Sequence, residues 1–171
     1  MVISEKLWDI TGGGKNTLNI VQIKERDPEL TRDLLDIWES AVRATHLFLP
    51  EAEIGRIKQF VPRALESVPL LLAAETEDGT PVGFMGVAKR KLEMLFVSNE
   101  YRGQGIGKQL LEFGMARACV DELTVNEQNA LAKGFYEHMG FAVCRRTERD
   151  EQGGPYPLLY MKKIENKGGK L

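Results

Sequence analysis

The 171-residue sequence is poor in cysteine and histidine and has no long apolar run. Its two cysteines, Cys119 and Cys144, are too few for a disulfide framework or a cysteine zinc cluster, and each reads as a small apolar residue. The two histidines, His46 and His138, have no partners at metal-ligand spacing, so no metal is expected. No eighteen consecutive apolar residues occur, which argues against a membrane-spanning helix. The stretch Met1 to Ile10 carries Glu5, Lys6 and Asp9 and lacks the continuous apolar segment of a secretory signal, so a cytoplasmic protein is expected. Net charge is also nearly absent. Charged residues are plentiful, but the formal charge is −2, which gives no general electrostatic case for binding nucleic acid.

What the chain does have is one informative stretch, Leu92 to Leu111, LEMLFVSNEYRGQGIGKQLL. A strand-like apolar run passes through Ser98-Asn99-Glu100 into a glycine-rich loop that opens an amphipathic helix. Glycines at 103, 105 and 107 let the backbone approach a ligand closely. The first-turn N–H groups of the following helix have no intrahelical acceptors, so with the helix dipole they form an anion site. A Walker loop is excluded, because Gly107-Lys108 is followed by Gln109 and no glycine stands at 102. The dinucleotide fingerprint begins well at Gly103 and Gly105 but meets Lys108 at its third glycine, although Asp121 lies at a suitable distance for a ribose contact. The remaining pattern is Arg102-x-x-Gly105-x-Gly107.

That pattern resembles the acyl-CoA pyrophosphate loop of the GNAT superfamily of N-acetyltransferases, Gln/Arg-x-x-Gly-x-Gly/Ala. Downstream, Asn126 to Phe141, NEQNALAKGFYEHMGF, is similar to the same superfamily's Asn…Ala…Phe-Tyr…Gly-Phe segment. The resemblance covers residues 92 to 145 strongly and 20 to 163 in outline. It implies an α/β single-domain GNAT-like fold, with a central mixed, mostly antiparallel sheet, helices on both faces and a splayed parallel strand pair that holds the pantetheine arm. It also implies acetyl-CoA as cosubstrate and an amine acceptor that is a small molecule or a protein amine; the charge balance and the lack of a long apolar run lead to the expectation of no nucleic-acid and no membrane partner. A homodimer is compatible with it.

Taken in order, residues 1–19 form an N-terminal extension outside the superfamily pattern, with Gly12 to Thr17 a flexible connection or hairpin turn. The domain spans 20–164, and 165–171 is a frayed tail. Ile20 to Ile23 alternates as a first strand. The stripe Leu30, Leu34, Ile37/Trp38, Ala41/Val42 predicts a helix from Pro28 to about Ala44. Two short helices flank Pro62. Residues 69–76 and 82–88 flank Asp78-Gly79, a hairpin signal, and 91–97 follows to make a three-strand meander. After the glycine-loop helix come a strand at 122–125, a helix with Leu131, Phe135 and His138/Met139 as its core face, and a closing antiparallel pair at 141–147 and 158–162.

Acetyl transfer from a thioester to an amine needs a hold on coenzyme A, an oxyanion donor, an acid for the thiolate and a base for the ammonium. By the resemblance, Leu95, Phe96 and Val97 meet the pantetheine and acetyl group through main-chain atoms. Arg102, Gly103, Gln104, Gly105, Ile106, Gly107 and Lys108 cradle the pyrophosphate. Asn129 and Tyr136 lie seven positions apart, nearly two helical turns or about 10 Å; they point the same way, which suits contact with pantetheine amides and then with sulfur. Asn126 reads as the N-cap of that helix. Tyr136 is the candidate acid. Glu93, on the strand beside the acetyl site, and His46, whose ordinary pKa suits the task, are the candidate bases. From Lys24 to Glu53, eight acidic residues stand against four Lys/Arg, which favours a cationic amine. No cysteine looks activated, so direct attack in a ternary complex is expected rather than a covalent intermediate. A non-catalytic acyl-CoA-binding sensor is the alternative function, and a NAD-binding protein a more distant one.

Overall fold

The computed structural model describes residues 6–10 and 18–165, which fall into two compact units divided between Val120 and Asp121. Gly12 to Thr17 and the tail beyond Glu165 lie outside the described residues.

The first unit runs β1 (Lys6–Ile10), β2 (Leu18–Gln22), α1 (Pro28–Thr45), α2 (Glu51–Lys58), α3 (Val61–Ser67), β3 (Leu70–Glu75), β4 (Pro81–Ala88) and β5 (Lys91–Val97). A 3₁₀ turn at Asn99–Tyr101 and α4 (Ile106–Arg117) complete it. Its strands are ordered β1-β2-β3-β4-β5, and every neighbouring pair is antiparallel. The sequence reading assigned no strand to 6–10. Only the pairing with β2 defines that segment, and β2 itself begins at Leu18 rather than Ile20.

Local chemistry sets most of these boundaries. The Asp27 side chain accepts from the Leu30 N–H at 2.9 Å, and Pro28 follows at the first helical position, so α1 starts as a capped helix. Pro62 stands in the first turn of α3, where its missing N–H is harmless. Consequently the helical segment breaks between Lys58 and Val61. The β3–β4 connection closes through Thr76 and Gly79, whose N–H groups donate to Thr80 and Thr76 carbonyls at 2.9 Å each.

Helices cover both faces of this sheet, as expected. On one face Leu34, Ile37, Trp38 and Val42 of α1, Ile54 of α2 and Leu65 of α3 bury against Val21, Leu71, Ala73 and Phe84. On the other, α4 lies against β3, β4 and β5. Gly83 permits its close approach: a Cβ there would meet the Phe96 carbonyl at 3.1 Å and the Ile106 and Val97 side chains at 3.3 Å. Ile106 is the first residue of α4 and is buried, so this contact locates the helix start.

The second unit comprises β6 (Glu122–Asn126), α5 (Ala130–His138), β7 (Phe141–Thr147) and β8 (Leu158–Lys163), with strand order β6-β8-β7 and both pairs antiparallel. Leu123, Val125, Phe141, Leu158, Leu159 and Met161 are its buried apolar residues on the strands.

Arg26 makes a long-range side-chain tie in the first unit. Its guanidinium donates to the Glu66 carbonyl and, at 2.7 Å, to the Val68 carbonyl, which closes the C-terminal end of α3. Hydrogen bonds from a charged donor contribute about 1.5–3 kcal/mol. Arg26→Ala should therefore lower the urea midpoint by the equivalent of about 1–3 kcal/mol with an unchanged m-value, and Arg26→Lys should recover only part of the loss because it lacks the two-pronged geometry.

Candidate functional site

The glycine loop is contiguous with β5. From Val97 the chain passes through the 3₁₀ turn, where Tyr101 and Arg102 N–H groups donate to Ser98 and Asn99 carbonyls at 2.9 and 3.3 Å. Gly103 and Gly105 then take φ of +76° and +79°, a conformation that side-chain-bearing residues rarely adopt. A Cβ at either would meet nothing within 4 Å, so the space over this backbone is open. Gly105 is the N-cap of α4 and supplies no capping side chain. The first backbone bond of the helix is Gln109 N–H to the Gly105 carbonyl at 3.0 Å, which leaves the N–H groups of Ile106, Gly107 and Lys108 pointing out of its start. Arg102, Gln104 and Lys108 are exposed around them, and among the described residues Lys108 has only a 3.8 Å i,i+4 contact with Glu112. Donors, open space and cations suit a polyphosphate.

In β5 the side chains alternate. Met94 and Phe96 pack on the α1–α3 cluster, with Phe96 and Phe84 ring centroids 5.6 Å apart. Val97 faces Gly83 and the start of α4. Glu93 interrupts this alternation. Gly86 pairs with Met94 and Val87 with Leu92, so Glu93 is the extra residue of a β-bulge. Such a bulge redirects a side chain and frees backbone groups from the ladder. Its carboxylate is exposed and lies 3.5 Å from the Lys91 ammonium.

His46 is the C-cap of α1, and its N–H donates to the Val42 carbonyl at 2.8 Å. Its ring packs at 5.4 Å from Phe48, and burial holds its pKa below the ordinary histidine value. The end of α1 is tied to the glycine-loop side of β5, because the Asn99 N–H donates to Ser40 Oγ at 3.0 Å. The acidic excess of this region is largely consumed internally. Glu39 pairs with Lys58 and Arg43, Glu51 with Arg43, and Glu53 with Arg56, while Asp27 caps α1. Hydrogen bonding by Lys58 and then Arg43 keeps the Glu39 carboxyl below its usual range. That leaves Glu25, Glu29, Asp33 and Asp36 of the eight acids.

In the second unit, the expected core face of α5 holds at Met139 and in part at Phe135, but not at Leu131 or His138. Leu131 is 70% exposed, Phe135 is half-buried and His138 is exposed, whereas Asn129, Tyr136 and Met139 are buried. Positions 129, 132, 136 and 139 repeat at helical spacing, so the buried face is the one that carries the amide and the phenol. The N-cap is Asn129, not Asn126: its Oδ1 accepts from the Ala132 N–H at 3.2 Å, and Asn126 is still the last residue of β6. The expected capping pattern was misplaced by three residues because β6 runs one residue beyond its apolar stretch. Asn129 thus spends its carbonyl on the helix and keeps its NH₂ as a donor.

Tyr136 packs edge-on against Phe135 and Phe141 at 5.2 and 6.3 Å between centroids. Its hydroxyl makes no hydrogen bond among the described residues. Burial alone pushes its pKa above the ordinary tyrosine value. A raised pKa in the folded state means that stability present below about pH 10 is lost as pH rises past it. In a spectrophotometric titration of the four tyrosines, one should ionise above the rest, and Tyr136→Phe should remove that component.

A GNAT acetyltransferase domain model matches residues 56–163. The chain is 41% identical over 140 residues to the peptidyl-lysine N-acetyltransferase YjaB of Salmonella typhimurium, covering 82% of this chain and 96% of the relative. The solution structure of apo-form YjaB from Escherichia coli superposes with a TM-score of 0.77 at 35% identity, over 86% of this chain and 97% of that one. A PaiA N-acetyltransferase from Thermoplasma acidophilum, solved in complex with coenzyme A, shares the fold at a TM-score of 0.58 and 23% identity, over 86% and 99% of the chains. With a family model spanning more than half of its length and relatives matched nearly end to end, this chain belongs to the GNAT family of N-acetyltransferases.

Proposed function

We propose that this chain acetylates lysine side chains of proteins or peptides, using acetyl-CoA and direct attack in a ternary complex in the cytoplasm. The observation that carries the coenzyme part is the glycine loop, where two left-handed glycines leave open space in front of three helix N–H groups. The likeness to peptidyl-lysine N-acetyltransferases supports the acceptor class. The acids along α1 that have no ion pair among the described residues, Glu29, Asp33 and Asp36, suit a cationic substrate.

In this reading the N–H groups of residues 103–108 hold the pyrophosphate, with Arg102 and Lys108 adding attraction. Main-chain atoms of Leu95, Phe96 and Val97 hold the pantetheine and polarise the thioester carbonyl, next to the bulge at Glu93. The Asn129 NH₂ donates to a pantetheine carbonyl. A lysine ammonium with pKa near 10.4 is neutral in about one molecule in 2,500 at pH 7, a cost of about 4.6 kcal/mol. One proton must therefore pass to a base, for which Glu93 and His46 are the two groups available. The freed nitrogen lone pair attacks the carbonyl carbon, the carbon–sulfur bond breaks, and the sulfur takes a proton from Tyr136. The second N–H proton lost by the amine balances the one that Tyr136 gave. Burial keeps Tyr136 protonated until that moment.

Thiol release with acetyl-CoA and a panel of lysine peptides, small amines and peptides with blocked lysines tests the whole reading. Transfer should require a free lysine, and acetyl-CoA binding with no turnover on any acceptor would favour a sensor instead. Gly105→Val should raise the acetyl-CoA dissociation constant at least about tenfold, since a β-branched residue neither adopts this φ nor leaves the phosphate space open. Lys108→Ala should do less. Tyr136→Phe should lower turnover about 10–300-fold with acetyl-CoA affinity changed less than about threefold, because only the proton donor is removed.

A further inference from the structure

The two candidate bases differ in what holds them. Glu93 sits beside the Lys91 ammonium. His46 is held by a directed chain of hydrogen bonds. Thr45 Oγ1 lies 2.8 Å from the Ala41 carbonyl and 2.8 Å from His46 Nδ1. A carbonyl oxygen can only accept, so the single Thr45 hydroxyl proton is committed to Ala41. The remaining contact is satisfied only if His46 Nδ1 carries a hydrogen and donates it to Thr45 Oγ1. In the neutral ring the other nitrogen, Nε2, then has the lone pair. It makes no hydrogen bond among the described residues and is not among their buried unpartnered atoms, so it is accessible.

Resting on the acetyltransferase reading above, we propose that His46 Nε2 is the base that takes the acceptor ammonium proton, and that Thr45 is a positioning residue that fixes the tautomer. The balance is simple: one N–H bond of the ammonium breaks, one Nε2–H bond forms, and the imidazolium later returns that proton to water. Thr45 can accept from Nδ1–H in both charge states, so the chain of hydrogen bonds survives the transfer. Burial lowers the His46 pKa, which keeps the ring neutral at pH 7. The charged side chains on the adjoining turns of α1 and on α2 (Glu39, Arg43, Glu51, Glu53, Arg56 and Lys58) engage one another in ion pairs, and none contributes to that shift.

Long-range proton–nitrogen correlation spectra of the ¹⁵N-histidine protein at pH 8 read the tautomer directly, with His46→Gln separating the His46 signals from those of His138. Wild-type protein should show a protonated Nδ1 and an unprotonated Nε2; the reverse pattern overturns the role of Thr45. Thr45→Val should shift the ring toward the Nε2–H tautomer and lower kcat/KM about tenfold at unchanged acetyl-CoA affinity, while Thr45→Ser should restore both. Thr45→Ala gives the same readout if the valine variant does not fold. His46→Gln should lower kcat/KM about 10²-fold at pH 7 and recover toward alkaline pH, where free amine is abundant. An active wild type whose His46→Gln variant keeps its full kcat/KM overturns the base assignment alone. A wild type that transfers to no lysine acceptor overturns the acetyltransferase reading itself, and the spectrum still decides what Thr45 does.

Discussion

The start of α4 is the constraint on which the glycine-loop end of the first unit depends. A helix cannot satisfy its own first N–H groups, and here no capping side chain does so either. Two consecutive demands meet at this point. The backbone must turn left-handed at Gly103 and Gly105, and Ile106 must bury itself at once against β4. The bare position Gly83 under Ile106 makes the second demand compatible with the first. The donors are therefore held by core packing rather than by the loop, and a rigidly aimed set of N–H groups costs little to reorganise when an anion arrives.

Electrostatics around α1 and α2 works mainly inside the protein. Arg43 bridges Glu39 and Glu51, and Lys58 reaches back to Glu39, so the pairs join the two helices that flank His46. Such exposed pairs contribute little to stability one by one. None of these pairs shifts the His46 pKa, which burial lowers.

The polar side chains of α5 illustrate a different balance. Burying Asn129 and Tyr136 while exposing Leu131 runs against hydrophobic sorting. Asn129 is compensated by its hydrogen bond to the helix start, and the Tyr136 ring by aromatic contacts. The phenol remains without a hydrogen-bond partner among the described residues. Its proton is uncommitted among the described residues.

The glycine loop, the start of α1 at Pro28, the break at Pro62 and the hairpin at Asp78-Gly79 were legible in the sequence because each is decided by residues within a few positions of one another. Backbone dihedrals and first-turn hydrogen bonds are local quantities, so glycine, proline and aspartate announce them. The family was legible for the same reason, its motifs being contiguous. Tertiary structure alone decided the rest. Strand β1 exists through its pairing with β2, the bulge at Glu93 through its register with β4, and the buried face of α5 through what packs against it. Composition counted eight acids near α1, and only the fold paired Glu39, Glu51 and Glu53 with cations. The His46 tautomer belongs to this second class as well, although Thr45 is its neighbour in the chain. A proton's position follows from which lone pairs are already taken, and that is fixed by three-dimensional distances.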